Sequence, residues 1–163
     1  MRPKSRGFIK LKSNLPQDKV IIQPKLLEEK EDLEDLCEAV KLTIEIMNAK
    51  ALTPHRKKSL NIDESITNDR SRLEEWVKNH VESAYHCSGT CAMGSVTEAD
   101  GRVKGLKNLR VCDASIMPYV TSGNTNAPTI MLAEKISDLI KGNSLNPSDA
   151  QYYIHPDWET KQR

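Results

Sequence analysis

From Ala84 onward the charged residues that fill the first half of the chain give way to Gly, Ser, Thr, Cys and Met. Two polar stretches follow in a region that otherwise reads as buried. One is Tyr85-His86-Cys87-Ser88-Gly89-Thr90-Cys91-Ala92-Met93-Gly94. The other is Val111-Cys112-Asp113-Ala114-Ser115, continued after four residues by Val120-Thr121-Ser122-Gly123-Asn124-Thr125-Asn126-Ala127-Pro128-Thr129. Each sets Gly, Thr or Asn beside the end of a strand or helix, where such residues let the backbone approach a ligand closely. The second stretch reads as a strand, a loop and a helix N-terminus. That N-terminus offers unpaired N–H groups and a partial positive charge, which suits an anionic group. An ordinary capped helix, with Asn126 or Ala127 at the cap and Pro128 just inside, accounts for the same residues without a ligand.

Upstream of this break the pattern is one of short strands and amphipathic helices. A short strand is predicted after Gly7, within SRGFIKLKS (Ser5 to Ser13). Pro16, Gln17 and Asp18 mark a turn. The β-branched Val20, Ile21 and Ile22 predict a second strand, ended by Pro24. Residues 28–51 are predicted helical, because Leu33, Leu36, Cys37, Val40, Ile44, Met47 and Ala51 recur on one face of a 3.6-residue period. Glu28, Glu29, Glu31 and Asp32 crowd its start, where the helix dipole favours acids, and Pro54 lies beyond its end. Residues 55–69 read as polar and irregular, with Arg56-Lys57-Lys58 as a solvated surface. A second helix is predicted over 71–83, with Leu73, Trp76, Val77, His80 and Val81 on one face. His80 there reads as a partly buried, hydrogen-bonded side chain.

After the break, residues 108–113 (NLRVCD) read as a short buried strand. Residues 127–141 read as a third helix, with Pro128 in its first turn, Leu132, Ile136, Leu139 and Ile140 on one face, and Gly142 after its end. Residues 143–163 form a polar tail whose Tyr152, Tyr153, Ile154 and Trp158 could dock on a surface.

Composition bounds the function classes. With 24 basic and 23 acidic side chains the formal charge is +1, so no basic excess argues for nucleic acid. No apolar run approaches the roughly 18–20 residues of a membrane span. The basic N-terminus has no apolar segment behind it, so no secretory signal is read. The 163-residue chain is 37% apolar and has one Phe, two Trp and four Tyr. Aromatic side chains dominate buried area, and their scarcity hints at an incomplete folding unit.

The four cysteines, Cys37, Cys87, Cys91 and Cys112, read as reduced thiols rather than a disulfide framework. His86 with Cys87 and Cys91 has no second ligand pair at zinc spacing, so no metal is expected. Nothing local offers a positioned base for a cysteine nucleophile. His86 alone is either a structural histidine or a general base, the role this side chain most often fills near neutral pH.

Taken in order, HCSGTCAMG, GRVKGLKNLRVCDASIMP and TSGNTNAPTIMLAEKISDLI resemble the C-terminal signature of the glucose–methanol–choline (GMC) flavin oxidoreductases, in their choline dehydrogenase-like branch. The strong likeness covers residues 85–142, and the segments around Ser5 to Ser13 and the Glu28 helix resemble the part just upstream. The resemblance implies an α+β fold: short strands with about three helices, made of part of a substrate domain with an antiparallel sheet and the C-terminal strand-loop-helix of an FAD domain. The implied divisions are 1–84 for the substrate-domain piece, 85–142 for the catalytic loop and FAD-domain piece, and 143–163 for the tail.

By the same resemblance, His86 faces the flavin and handles the proton of an alcohol substrate. Asn124 is the second catalytic position. Asp113 and Ala114 bring backbone near the ribityl chain and pyrophosphate, Asn126 and Ala127 lie by the flavin's pyrimidine ring, and Thr125 is a further cofactor-binding residue. The implied reaction oxidises an alcohol to an aldehyde by hydride transfer to flavin N5, with electrons passed on to an acceptor. The location implied is cytoplasmic or at a membrane periphery.

The glycines at 7, 89, 94, 101, 105, 123 and 142 include no G-x-G-x-x-G turn, the dinucleotide-binding fingerprint of this class. The FAD site is therefore expected to be incomplete in this chain, with an N-terminal FAD-binding portion supplied in cis or in trans. The alternative is a truncated or split-gene product, inactive alone, that acts as a partner or binding module. Either way, unpaired edges and apolar faces predict an aggregation-prone isolated chain. Light scattering that rises with concentration is the expected result, and a sharp cooperative melt at high temperature is the result that counts against it.

Overall fold

The computed structural model describes residues 3–59, 61–143, 148–151, 153, 154 and 156. The fold is α+β. An antiparallel pair, β1 (Phe8–Lys10) and β2 (Ile21–Gln23), precedes helices α1 (Lys30–Met47), α2 (Arg70–His80) and α3 (Asn126–Lys141). The strands pair in the register Phe8 to Gln23, Ile9 to Ile22 and Lys10 to Ile21. Between them, the Asp18 N–H donates to the Leu15 carbonyl at 3.1 Å. This places Pro16 in the second position of a β-turn, which its fixed φ suits. Pro24 follows β2 directly.

The helix α1 buries the stripe that its periodicity predicts. Leu33 and Cys37 are buried, with Leu36 and Val40 packed beside them, against Ile66, Leu73 and Val77. Helix α2 supplies Leu73 and Val77 to this core, and Trp76 packs at its margin. Burial pushes the Cys37 thiol up, against a smaller opposing effect of the Arg70 charge. Every residue of this cluster lies between positions 27 and 77.

The helix boundaries differ from expectation by up to four residues. Helix α1 stops at Met47 rather than reaching Ala51, and the chain tightens into a 3-10 helix over Lys50–His55. The Asn48 N–H already divides between the Ile44 and Glu45 carbonyls at 2.9 and 3.1 Å. Ala49 leaves the helical region, φ −56° and ψ 138°, and Pro54 falls inside the 3-10 helix that follows. Met47 is half exposed as a result. Helix α2 starts one residue early because the Asp69 carboxylate caps it, accepting from the Arg72 N–H at 3.1 Å.

The polar segment 55–69 is less irregular than it reads. It forms a 3-10 helix over Glu64–Asn68, capped by Asp63, which buries Ile66 in the core. The basic run Arg56-Lys57-Lys58 lines an open groove with Thr53, Asp63 and Glu64. His80 is hydrogen-bonded as expected, its Nδ1 2.7 Å from the Trp76 carbonyl, but it is exposed and stacks on the Trp76 ring.

Residues 108–113 do not form a strand. They are the return arm of a narrow ribbon: the Val103 N–H donates to the Leu109 carbonyl at 3.0 Å and the Val111 N–H to the Gly101 carbonyl at 2.9 Å. Asn108 turns the ribbon in a left-handed conformation, φ +59°. Helix α3 buries Ile136 and half-buries Leu132, while Leu139 and Ile140 are exposed. Gly142 closes it in the left-handed conformation, φ 73°. Of the expected docking residues in the tail, Tyr152 and Trp158 lie outside the described residues, and Tyr153 and Ile154 are exposed. No helix among the described residues is long and apolar enough to cross a membrane.

One contact ties the N-terminal segment to α1. The Asp32 carboxylate, 8% exposed, accepts from the Lys4 N–H at 2.8 Å and the Ser5 N–H at 2.7 Å. In return the Ser5 hydroxyl accepts from the Glu29 N–H at 3.0 Å, at the cap position of α1. Burial raises the Asp32 carboxyl, but the Ser5 and Lys4 hydrogen bonds and the Arg6 charge outweigh it, and the net shift is downward. A carboxyl lowered in the folded state stabilises at pH values above its unfolded value, about 3.9. That stability is lost as pH falls through the folded value. Asp32→Ala is expected to cost about 1–3 kcal/mol by stranding two backbone donors. Urea unfolding at neutral and acid pH checks both points: the cost should shrink toward acid.

Candidate active site

Between α2 and α3 the chain contains only one short helical turn, Ala114–Ile116. Loop-to-loop hydrogen bonds and a few ion pairs position the rest. The Cys91 N–H donates to the Ser115 carbonyl at 2.9 Å, and the Met93 N–H to the Ile116 carbonyl at 2.8 Å. These two bonds dock the 86–94 loop on the 113–117 turn. Thr97, fully buried, locks the loop from the other side: its hydroxyl donates to the Cys91 carbonyl at 3.0 Å and its carbonyl accepts from the Gly94 N–H at 2.8 Å. Lys104 also donates to the Gly94 carbonyl.

His86 is half-buried at the start of this loop. Its Nδ1 lies 3.0 Å from the Thr125 hydroxyl oxygen. Thr125 is 8% exposed and is the N-cap residue of α3, yet its side chain makes no cap hydrogen bond. The cap thus falls one residue before the positions expected from sequence. Asn124 is exposed and adjoins Thr125 in the chain, and Asn126 and Ala127, also exposed, form the first turn of α3. The structure therefore brings His86, across 39 residues, to the N-terminus of α3.

Asp113 and Ala114 sit elsewhere in the same assembly, on the turn that receives the 86–94 loop. The Asp113 carboxylate accepts from the Ser115 N–H at 2.7 Å and caps that turn. That bond commits one carboxylate oxygen, Oδ1, to the local turn. Ala114 is half-buried beside it.

The ribbon below the site is held by charge. Asp100 accepts from the Arg102 N–H at 3.1 Å, and its Oδ2 pairs with Arg102 Nε at 2.7 Å and Arg110 Nη1 at 3.3 Å. The Arg102 N–H, against desolvation and with the charges of Arg102 and Arg110, holds the Asp100 carboxyl below its usual range. The four cysteines are free thiols. Among the described residues no group of three or more His, Cys, Asp or Glu side chains could hold a metal ion.

Sequence reasoning missed Thr97 and the partnership of Thr125 with His86. Thr97 carries no signal, being one polar residue in a polar loop. The partnership does have a faint one: Pro128 stands third in α3 and has no N–H for the Thr125 hydroxyl to cap.

The loops thus set a half-buried histidine at a helix N-terminus. The comparisons with known proteins give the family. The family model for GMC oxidoreductases matches residues 3–133, and the chain belongs to that family. It is 41% identical over 169 residues to the oxygen-dependent choline dehydrogenase of Photobacterium profundum, covering 99% of this chain and 30% of that protein. It is 48% identical over 148 residues to the mitochondrial choline dehydrogenase of Homo sapiens, covering 87% and 25%. The crystal structure of pyridoxine 4-oxidase from Mesorbium loti superposes with a TM-score of 0.78 at 28% identity, over 88% of this chain and 29% of that one. The chain thus spans about 30% of the length of the curated relatives it matches.

The site depends on Gly101, which has φ +79°. A Cβ there would lie 2.6 Å from the Val111 carbonyl oxygen and 3.1 Å from Ile136 Cδ1 of α3. Gly105 has a similar φ, +76°, but open space around it. Gly101→Ala is expected to cost more than Gly105→Ala, which carries only the backbone strain of about 1–3 kcal/mol. Equilibrium unfolding of the two variants measures the order.

Proposed function

We propose that this chain is the C-terminal, proton-handling part of an FAD-dependent alcohol dehydrogenase or oxidase of the choline dehydrogenase-like branch, which oxidises a CH–OH group to an aldehyde. The observation that carries the reading is the His86 to Thr125 contact of 3.0 Å, which sets an imidazole at the open N-terminus of α3. Family membership supports it.

The residues present fit a flavin. The first turn of α3 has no side-chain cap, and its Asn126 and Ala127 are exposed. Its backbone donors and partial positive charge suit the electron-rich pyrimidine end of the ring system. Thr125, Asn126 and Ala127 would hold that end, and the backbone of Asp113 and Ala114 would meet the ribityl chain and pyrophosphate. The remaining contacts, including a dinucleotide-binding turn, would come from a portion outside these 163 residues, in cis or in trans.

When bound, FAD supplies the hydride acceptor, and a separate electron acceptor completes the cycle. The protein's own residues manage the hydroxyl. His86 takes the proton at Nε2, the nitrogen that Thr125 leaves free. The Asn124 amide donates a hydrogen bond to the substrate oxygen and does not titrate. Developing alkoxide character is thereby stabilised, and the α-carbon becomes a better hydride donor.

In the complete flavoenzyme, His86→Ala is expected to lower kcat by about 10²–10⁴-fold, the usual range for general base catalysis, with FAD still bound. Asn124→Ala should cost less, since the base remains. Steady-state kinetics with a flavin absorbance assay reads both. Full turnover by His86→Ala, or no dependence of any activity on His86 and Asn124, would leave the chain as a binding module.

A further inference from the structure

We propose that Thr125 is a positioning residue that fixes the tautomer of His86. The inference rests on the reading of His86 as the base. A base at Nε2 needs its lone pair there, so the neutral ring must carry its hydrogen on Nδ1. Thr125 Oγ1 is the atom that Nδ1 meets, at 3.0 Å; a hydroxyl can donate or accept, and the base reading selects acceptance from Nδ1–H. Once the ring has taken a proton, both nitrogens carry hydrogen, and a hydroxyl facing Nδ1 can only accept. The hydroxyl thus plays one role, acceptor, before and after proton transfer, and the ring does not have to turn.

The local sequence frees Thr125 for this task. An N-cap threonine ordinarily turns its hydroxyl back to the N–H of the second or third helical residue. Here the third residue is Pro128, which has no N–H. The backbone of Thr125 is also in the helical region, φ −78° and ψ −8°, rather than the extended region typical of a capping residue. The cap bond is not made. The Thr125 carbonyl is occupied by the Thr129 N–H at 3.0 Å and the Thr129 hydroxyl at 2.7 Å. These two bonds fix the residue from the helix side. With the side chain nearly buried, the hydroxyl faces across the loops to His86.

The molecule contains its own reference. His80 Nδ1 lies 2.7 Å from the Trp76 carbonyl oxygen, and a carbonyl can only accept. His80 must therefore carry hydrogen on Nδ1, and it should report that tautomer in the same spectrum.

The experiment labels the histidine rings of the complete, FAD-loaded enzyme with nitrogen-15 and reads the ring shifts at a pH where the imidazoles are neutral. His86→Gln and His80→Gln assign the two signals. His86 is expected to match His80, with hydrogen on Nδ1. Thr125→Val, of nearly equal shape, should move His86 toward the Nε2–H form. It should also lower kcat by about ten- to a hundredfold, as loss of an orienting hydrogen bond to a functional histidine does elsewhere, with KM within about twofold. Thr125→Ser should restore both. A wild-type His86 with hydrogen on Nε2 overturns the inference. So does a Thr125→Val enzyme with its tautomer or kcat unchanged. If Thr125→Val does not fold, the wild-type and Thr125→Ser spectra decide alone, because both must show the Nδ1–H form. An active His86→Ala enzyme sinks the reading of His86 as base, whatever the spectra show.

Discussion

From residue 81 to residue 125 the chain must satisfy its backbone donors and acceptors with no regular element longer than three residues. Buried peptide groups that lack partners cost free energy comparable to a lost hydrogen bond. That constraint shapes this whole region. The N–H groups of Cys91 and Met93 find the carbonyls of Ser115 and Ile116. The turn over 113–117 supplies its own cap through Asp113. The ribbon of 101–111 pairs with itself and is pinned by Asp100 and two arginines. A loop held this way is rigid enough to present a side chain, and that side chain is His86.

The first part of the chain solves a different problem by ordinary means. Helices α1 and α2 bury an aliphatic stripe each, and a 3-10 turn adds Ile66. The N-terminal segment, which has no core contact of this kind, is fastened by polar exchange instead: Ser5 caps α1 while Asp32 accepts from Lys4 and Ser5. The same segment reaches the site region, because the Arg6 guanidinium lies 5.4 Å from the centre of the Tyr119 ring. The fastening at Asp32 therefore bears on where the segment beside Tyr119 is held.

What the sequence made legible follows from range. Periodicity is a local signal, and α1, α2 and α3 are found near their predicted positions, with Gly142 ending α3 as its residue type suggests. Motif order carried the family. The apparent strand at 108–113 failed because apolar composition does not create a pairing partner, and only a narrow ribbon was available. Ile62 and Ile66 are two apolar residues in a polar run, too few to register as a face, yet both meet the core. The bonds of Thr97, Ser5 and Asp32 join residues whose types are common in solvated loops, so nothing marks them in advance. The candidate residues His86 and Asn124 are legible as motif members, whereas the contact between His86 and Thr125 spans 39 positions and is visible only in the fold.

That contact also explains why a poor helix cap can be a good site. An N-cap hydroxyl turned inward satisfies a backbone donor and closes the helix end to ligands. In α3 the proline at the third position removes one such donor, the hydroxyl turns outward to a ring nitrogen, and the first turn keeps its field and its exposed Asn126 and Ala127. The helix forgoes a cap worth about 1 kcal/mol. On the proposed reading, one threonine in exchange orients the base, and the same helix end stays open to a negatively charged or electron-rich group. The two proposed roles meet at residues 124–127 because both come from the single choice of where a threonine hydroxyl points.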